Sequence, residues 1–363
     1  MLIELGCIFL LLGTCVGAAM IALPVVTAHE SYWLTIILVI SSWFIMTLGA
    51  WALTRVTLSM KPGANMISMC KKTLGKGAKI ATWVVYLLLL YSLISAYLAS
   101  TSDVFRALLS FSKIPLPHFV STLLVTVILG YIVYSGIGAV DFLNRFLMTI
   151  KLVVFALLVG FMAPQADFTL LSKGSFDFTW GSWLVIITSF GFAIIMPSVS
   201  QYLNYNKKRI MRVLFIASVI PVLLYLIWIA TVQGLLPRFG PGGLVALNHA
   251  ADTNSALMSG LSASTGYESL KSMSYIFISI SSLTAFLGVS ICLIDFLADG
   301  LKKQKKGKDG LLIFILTYAP PLIIVLFRPQ VFTTALAYAG FFCLYILIFL
   351  PIAMLLAKRP NQQ

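Results

Sequence analysis

Residues 13–24 of the chain read GTCVGAAMIALP, and they interrupt an apolar run from about residue 5 to residue 28. The run is long enough to cross a bilayer, for which about 20 apolar residues suffice. Its middle is a poor helix former, because glycine costs a helix about 1 kcal/mol relative to alanine and an interior proline about 3 kcal/mol. Irregular backbone at membrane depth is tolerated only where it is buried in protein or lines a cavity. The stretch therefore predicts either a ligand site or a close helix-packing seam of the Gly-x-x-x-Gly type.

The composition of the 363-residue chain is that of a membrane protein. Hydrophobic residues make up 60% of the chain and charged residues 10%, and the mean hydropathy is +1.01, whereas about a quarter of the residues in soluble domains are charged. We interpret the first apolar segment as a retained span and not a signal peptide, because it carries Glu4 in place of a basic leader. The five cysteines have neither CxxC nor metal-ligand spacing. We expect no metal, no cofactor and, despite the net charge of +14, no nucleic-acid partner.

Ten apolar windows of about 17–25 residues predict ten spans. The windows are 5–28, 32–55, 80–105, 118–138, 146–164, 181–203, 211–236, 273–299, 311–327 and 331–357. Nineteen of the 25 lysines and arginines lie in or beside the connections that follow the even-numbered windows, or in the C-terminal tail. Positive charge marks the cytoplasmic side, so both termini are predicted to face the cytoplasm.

The ten windows divide into two halves of five, 1–165 and 181–358, within a single transport domain. Because five is odd, the second half starts from the opposite side of the membrane, and any repeat that relates the halves is inverted. The first window of the second half is interrupted as well, since residues 188–198 read TSFGFAIIMPS. Matched interruptions in corresponding spans of two halves indicate a transporter's binding site. This pairing favours the ligand site over the packing seam.

The connection 237–272 begins with several glycines and prolines. It is predicted to lie on the outer side, where it would either hold short helices as a lid over the outer mouth or form a solvated loop.

The two interruptions predict complementary poles for an amino acid zwitterion, because broken helices point free N–H groups at an anion and free C=O groups at a cation. We assign the substrate carboxylate to N–H groups of residues 17–19, helped by the Thr14 hydroxyl, and the ammonium to carbonyls of 13–15 and 189–191. Phe190 and Phe192 would flank the substrate side chain, with core or lipid-facing packing as the alternative. The predicted substrate-binding residues are Gly13, Thr14, Cys15, Gly17, Ala18, Ala19, Ser189, Phe190, Gly191 and Phe192.

Three kinds of polar residue in the spans suggest coupling and gating. Lys151 lies about 7 Å inside the fifth span at 1.5 Å per residue, and it either snorkels to the cytoplasmic surface or faces the bundle. In the bundle it could release and rebind a proton or occupy the place of a coupling sodium ion; sodium coupling through Thr284 and neighbouring hydroxyls is the alternative. Asp295 and Asp299 share a helix face and would line the exit path, bind a basic loop or mark a solvated helix end.

The ordered motifs resemble those of the bacterial aromatic amino acid permeases, the tyrosine- and tryptophan-specific transporters of the amino acid/polyamine/organocation superfamily. The resemblance covers nearly the whole chain and depends on five segments, residues 13–24, 141–147, 188–202, 286–299 and 320–340. It implies a leucine-transporter-type 5+5 inverted repeat, an all-α membrane fold with broken first and sixth helices. It also implies the bacterial cytoplasmic (inner) membrane and symport with a proton.

The resemblance extends to a fifth-span lysine, here Lys151, in place of a sodium ion. Three departures from the family pattern bear on specificity and topology. Ala19 stands where the family usually has glycine, Ala193 stands where relatives often have histidine, and ten spans are predicted where the family typically has eleven.

We therefore expect a secondary active transporter that imports an aromatic amino acid, tyrosine first, with a proton by alternating access in the lipid bilayer. One alternative is a transporter of another neutral amino acid with sodium coupling. Another is a receptor or channel that binds an amino acid without concentrating it. An enzyme is not expected, because the sequence contains no nucleophile-and-base or metal constellation.

Overall fold

The computed structural model describes residues 2–60, 66–111, 116–134, 137–248, 250, 253–266 and 268–357. In these ranges the fold is helical, and the one isolated bridge joins Glu30 and Ser175. Four of the 25 lysines and arginines counted above lie outside the described residues: Lys61, Lys113, Lys358 and Arg359.

The described part of the first half contains seven helices. They are α1 (Leu2–Cys15), α2 (Ala18–Val26), α3 (Tyr32–Leu58), α4 (Met66–Leu74), α5 (Lys76–Phe111), α6 (His118–Tyr134) and α7 (Ile137–Met162). Local signals explain several boundaries. The Ser31 side chain accepts from Leu34 N at 3.3 Å, which caps the start of α3 because the first N–H groups of a helix have no intrahelical acceptor.

The second half begins with α8 (Trp180–Ser189), which a 3₁₀ turn (Gly191–Ile195) connects to α9 (Met196–Tyr202). Asn206 caps the long helix that follows, accepting from Arg209 N at 3.2 Å. The remaining helices are α10 (Lys207–Leu235), α11 (Leu244–Leu247), α12 (Thr253–Thr265), α13 (Glu268–Leu301), α14 (Gly307–Phe327), α15 (Val331–Leu344) and α16 (Leu350–Leu356). A π-helical turn, Tyr345–Phe349, joins the last two into one continuous span.

The chain is a multi-pass membrane protein, as predicted. Within the described ranges, eight helices are long and apolar enough to cross a membrane, and α1 and α2 add a ninth if the bent pair counts as one span. Helix α6 is also apolar but has 17 residues. Ten spans, the inverted 5+5 repeat and cytoplasmic termini stay predictions.

The interior is built around α5 and α13, which pack against each other, and α5 also packs against α15. Helix α15 lies against α8 so closely that a Cβ added at Gly340 would be 2.0 Å from the Leu184 carbonyl oxygen. Only glycine permits such an approach of two backbones. Helix α8, which leads into the second interruption, therefore packs directly against α15.

The connection 237–272 contains the short helices α11 and α12, which was one of the two alternatives for this segment. Asp103 of α5 accepts hydrogen bonds from the Ser255 N–H at 3.1 Å and the Ser255 hydroxyl at 2.6 Å, at the first turn of α12. Asn254 donates to the Ser100 hydroxyl at 2.6 Å. A carboxylate at a helix N-terminus satisfies free N–H groups and the helix dipole, so α12 is fixed to α5.

Candidate functional site

The first interruption lies between α1 and α2, where the axes of the two helices differ by 46°. Gly17 adopts an extended conformation with φ −130° and ψ −163°, and its carbonyl accepts from Met20 N at 3.1 Å. The N–H groups of Ala18 and Ala19 have no intrahelical acceptor, because α2 begins there. The break therefore lies within residues 13–24, as predicted, with N–H groups at the start of α2. It lies at Gly17 and not at Pro24, which is inside α2.

The glycines of this break are not forced by close packing. A Cβ added at Gly13 would lie 3.4 Å from Met148 Sδ, and one added at Gly17 would lie 3.6 Å from Ala285 Cβ. These are ordinary van der Waals distances, unlike the 2.0 Å approach at Gly340. The packing seam, in which small residues let two backbones approach closely, does not account for them.

The second interruption follows α8. Phe190 leaves the helix with φ −94° and ψ 26°, and Pro197 begins α9 in its first turn, where a missing N–H is tolerated. Phe190 and Phe192 are fully buried, which excludes the lipid-facing alternative for both rings. A Cβ added at Gly191 would meet no atom within 4 Å, so the backbone borders open space there.

One side chain joins the two interruptions. The Tyr225 hydroxyl of α10 lies 2.9 Å from the Cys15 carbonyl oxygen and 2.7 Å from the Ser189 carbonyl oxygen. The two carbonyl sets predicted for the ammonium are thereby brought together. Sequence reasoning missed Tyr225, which is one of 14 tyrosines and lies in an apolar helix that continues through Pro221 without a break.

Lys151 faces the bundle and does not snorkel, since its side chain is fully buried. Its ammonium donates to the Val16 carbonyl oxygen and to the Thr284 hydroxyl of α13 at 3.2 Å. The Val16 carbonyl is available because α1 ends at Cys15 and leaves the following carbonyl without a helical donor. A buried ammonium requires acceptors of this kind, and the first break supplies one.

The hydroxyls of Thr14 and Thr284 differ in what they offer. Thr14 Oγ1 donates to the Leu11 carbonyl oxygen at 2.7 Å, so its proton is used within α1. Thr284 Oγ1 donates to the Ser281 carbonyl oxygen at 3.2 Å and accepts from Lys151. The predicted help of Thr14 to a carboxylate would require this proton to turn away from Leu11.

Asp295 and Asp299 lie away from the two breaks. Asp295 is 11 residues from Thr284 along α13, a rise of about 16 Å, and it forms an ion pair with Lys305 at 2.6 Å. It lines a cavity of about 410 Å³ between α6, α13 and α14. Asp299 lines a second cavity of about 440 Å³ near the start of α5. Of the alternatives stated for this pair, the ion pair of Asp295 with Lys305 fits the binding of a basic loop.

No group of three or more His, Cys, Asp or Glu side chains in the described ranges could hold a metal ion. The polar groups at the breaks are backbone N–H and C=O groups, hydroxyls and one ammonium. This set suits a small zwitterion, because each pole of such a ligand finds groups of the opposite partial charge.

The family model of the tryptophan/tyrosine permease family matches residues 3–363. The tyrosine-specific transport system 1 of Haemophilus influenzae is 30% identical over 359 residues, which cover 98% of this chain and 88% of the relative. The tryptophan-specific transport protein of Pseudomonas aeruginosa is 26% identical over 362 residues, 98% of this chain and 86% of the relative. Glutamine transporter 2 of Aliivibrio fischeri is 25% identical over 361 residues, which cover 98% of this chain and 89% of the relative.

Proposed function

The chain belongs to the tryptophan/tyrosine permease family, and from this premise we propose that it imports an aromatic amino acid, tyrosine first, together with a proton. The observation that carries the proposal is the meeting of both helix breaks at Tyr225, with the Lys151 ammonium on the neighbouring Val16 carbonyl. The protein is a transporter and not an enzyme, because its family is a permease family and its named relatives are transport proteins.

The substrate binds as a zwitterion between the breaks. Its carboxylate accepts from the N–H groups of Ala18 and Ala19, where the α2 dipole is positive. Its ammonium donates to the carbonyls of Cys15 and Ser189. The aromatic side chain lies against Phe190 and Phe192, whose rings offer edge or offset stacking to an aromatic substrate.

Lys151 carries the coupling proton. As an ammonium it bridges Val16 of the first break and Thr284 of α13, and so stabilises the arrangement that receives substrate. As a neutral amine it binds these two oxygens more weakly, because charge-assisted hydrogen bonds are the stronger ones, and this links its protonation to the position of the first break. A sodium ion at this place would need the same two oxygens, which already accept from the Lys151 ammonium.

Transport proceeds by alternating access in the bacterial inner membrane. Helix α12, fixed to α5 through Asp103 and Ser100, is the lid on the outer side. The charge tally orients the lysine-rich connections toward the cytoplasm, where substrate leaves along the end of α13 that carries Asp295 and Asp299.

The test is uptake by the purified protein in proteoliposomes with an imposed inward proton gradient. Labelled L-tyrosine and L-tryptophan are expected to accumulate above equilibrium and to leave again when a protonophore collapses the gradient. A sodium gradient at equal pH should give no accumulation. Uptake that only equilibrates under every gradient would indicate a receptor or channel and contradict the proposal.

A second candidate substrate is a non-aromatic neutral amino acid. The relative that supports it is the glutamine transporter, which aligns over 98% of this chain at 25% identity. Competition by each of the twenty amino acids against labelled L-tyrosine decides between the two. Glutamine that competes better than tyrosine itself would move the assignment to this class.

A further inference from the structure

The hydroxyl of Tyr225 meets both broken helices although α10 is unbroken and belongs to neither. The side chain is fully buried, and its ring packs edge-on against Phe190 with centroids 4.9 Å apart. The ring contact fixes where the hydroxyl lies. The hydroxyl oxygen in turn limits the separation of the Cys15 and Ser189 carbonyl oxygens, because they lie 2.9 and 2.7 Å from it.

The hydrogen-bond count at this point is unbalanced. A tyrosine hydroxyl has one proton, while each of the two carbonyl oxygens has two lone pairs. The Cys15 carbonyl also accepts from Gly17 N at 2.8 Å, which uses one of them. Tyr225 can donate to only one carbonyl at a time, so the three oxygens together have room for further N–H donors. An ammonium group brings three donors.

We infer that Tyr225 is a positioning residue that holds the Cys15 and Ser189 carbonyls as a paired receptor for the substrate's ammonium, and so makes the α-amino group a requirement for transport. The inference rests on the proposed function and extends it. A carbonyl pair without the hydroxyl has two partial negative charges facing each other and no donor between them. The pair then separates, and the ammonium loses the convergence of its acceptors.

The experiment measures selectivity for the α-amino group. Uptake of labelled L-tyrosine into proteoliposomes is competed by unlabelled L-tyrosine and by 3-(4-hydroxyphenyl)propionate, which has the same ring and carboxylate but no amine. In the wild type we expect the amino acid to compete far better than the acid. In Tyr225→Phe we expect the ratio of the two inhibition constants to shrink about tenfold, the size of one hydrogen bond to a charged group. The apparent KM for L-tyrosine should rise by a similar factor while kcat changes less than twofold.

The matched control is Tyr32→Phe. The Tyr32 hydroxyl also donates to a backbone carbonyl of α10, but to that of Leu226 at 3.0 Å and not to a carbonyl of either break. In Tyr32→Phe, the ratio of the two inhibition constants should stay within twofold of the wild-type ratio. An equal weakening of both competitors in Tyr225→Phe, or the same loss of ratio in Tyr32→Phe, would show a general structural role and overturn the inference.

A second variant decides the matter if Tyr225→Phe does not reach the membrane. Replacement of Tyr225 by 4-aminophenylalanine keeps the ring and puts N–H donors at the same position, so the selectivity ratio should remain within threefold of the wild type. A collapsed ratio in this variant would contradict the inference. A wild-type protein that does not accumulate aromatic amino acids at all would refute the proposed function instead, and this outcome is visible before any variant is compared.

Discussion

The two helix breaks are held by chemically different groups. The first is bound by the Lys151 ammonium, which connects Val16 to Thr284 of α13. The second is bound by neutral hydroxyls: Thr188 at the end of α8 donates to the Leu336 carbonyl of α15 at 2.8 Å, and Tyr225 reaches Ser189. One break therefore depends on a titratable charge and the other does not. Ion coupling should be sensitive to changes at the first break, and affinity or stability to changes at the second.

The largest expected effect follows from removing the charge at the first break. Lys151→Ala should abolish accumulation driven by a proton gradient while leaving exchange of labelled for unlabelled L-tyrosine measurable, because exchange needs no net proton movement. Lys151→Arg keeps a positive charge that does not dissociate in proteins, so it should also fail to couple. Both are measured as proteoliposome uptake and counterflow.

The control for this prediction is Lys173→Ala, which removes an exposed lysine from the connection between α7 and α8. It should accumulate substrate like the wild type. Undiminished gradient-driven accumulation in Lys151→Ala or Lys151→Arg would remove the distinction between a charged and a neutral break.

The next largest effect concerns the support of the second break. In Gly340→Ala, the new Cβ would lie 2.0 Å from the Leu184 carbonyl oxygen, so α15 must move away from α8. Overpacking of this kind costs about 1–3 kcal/mol or more, and we expect a clear fall in the thermal unfolding temperature in detergent. The control is Gly181→Ala, which lies on α8 itself and whose new Cβ would meet no atom within 4 Å. Equal unfolding temperatures for the two variants would show that α8 is not supported in this way.

The sequence predicts the two breaks about equally well. It predicts the side chains that bind them less well. Both breaks lie in the apolar runs that contain glycine and proline, residues 13–24 and 188–198, because the helix penalty of these residues is local. The penalty alone does not place a break, since α2 continues through Pro24 and α10 through Pro221. The direction of Lys151 is not local. The sequence predicts a lysine about one turn inside a span, where snorkelling and burial are both open, whereas α7 begins at Ile137 and so places Lys151 near its middle. The direction of the side chain then depends on the rotation of α7 against α13.

The role of Tyr225 is even harder to predict from the sequence than the direction of Lys151. Its helix is unbroken, and its hydroxyl acquires a partner only because α10 packs against α1 and α2. The Gly-x-x-x-Gly spacing at residues 13–17 gave two interpretations, and the contact distances at Gly13 and Gly17 separated them. Local backbone preferences can thus be predicted from the sequence, whereas the partners of polar side chains depend on packing between distant helices.

A smaller effect is expected at the partner of the lysine. Thr284→Val keeps the shape of the side chain but removes the hydroxyl that accepts from Lys151, while the Val16 carbonyl still binds the ammonium. Loss of one hydrogen bond to a charged group corresponds to about tenfold. The rate of proton-driven uptake should fall by this factor, and its pH profile should shift because the protonated lysine is the form that loses a partner. A lower rate with an unchanged pH profile would mean that Thr284 acts on substrate and not on the lysine.

The smallest effect is expected at the corresponding hydroxyl of the second break. Thr188→Val removes the bond to the Leu336 carbonyl, a neutral hydrogen bond that contributes about 1 kcal/mol. Because α8 and α15 remain in contact at Gly340, the apparent KM for L-tyrosine should rise no more than about fivefold. The pH profile of uptake should match that of the wild type, since the Thr188 and Tyr225 hydroxyls that bind this break carry no charge. The pair Thr284→Val and Thr188→Val, measured side by side, therefore separates a charged break from a neutral one: a pH shift in both variants, or in Thr188→Val alone, would mean that the proton acts through the second break as well.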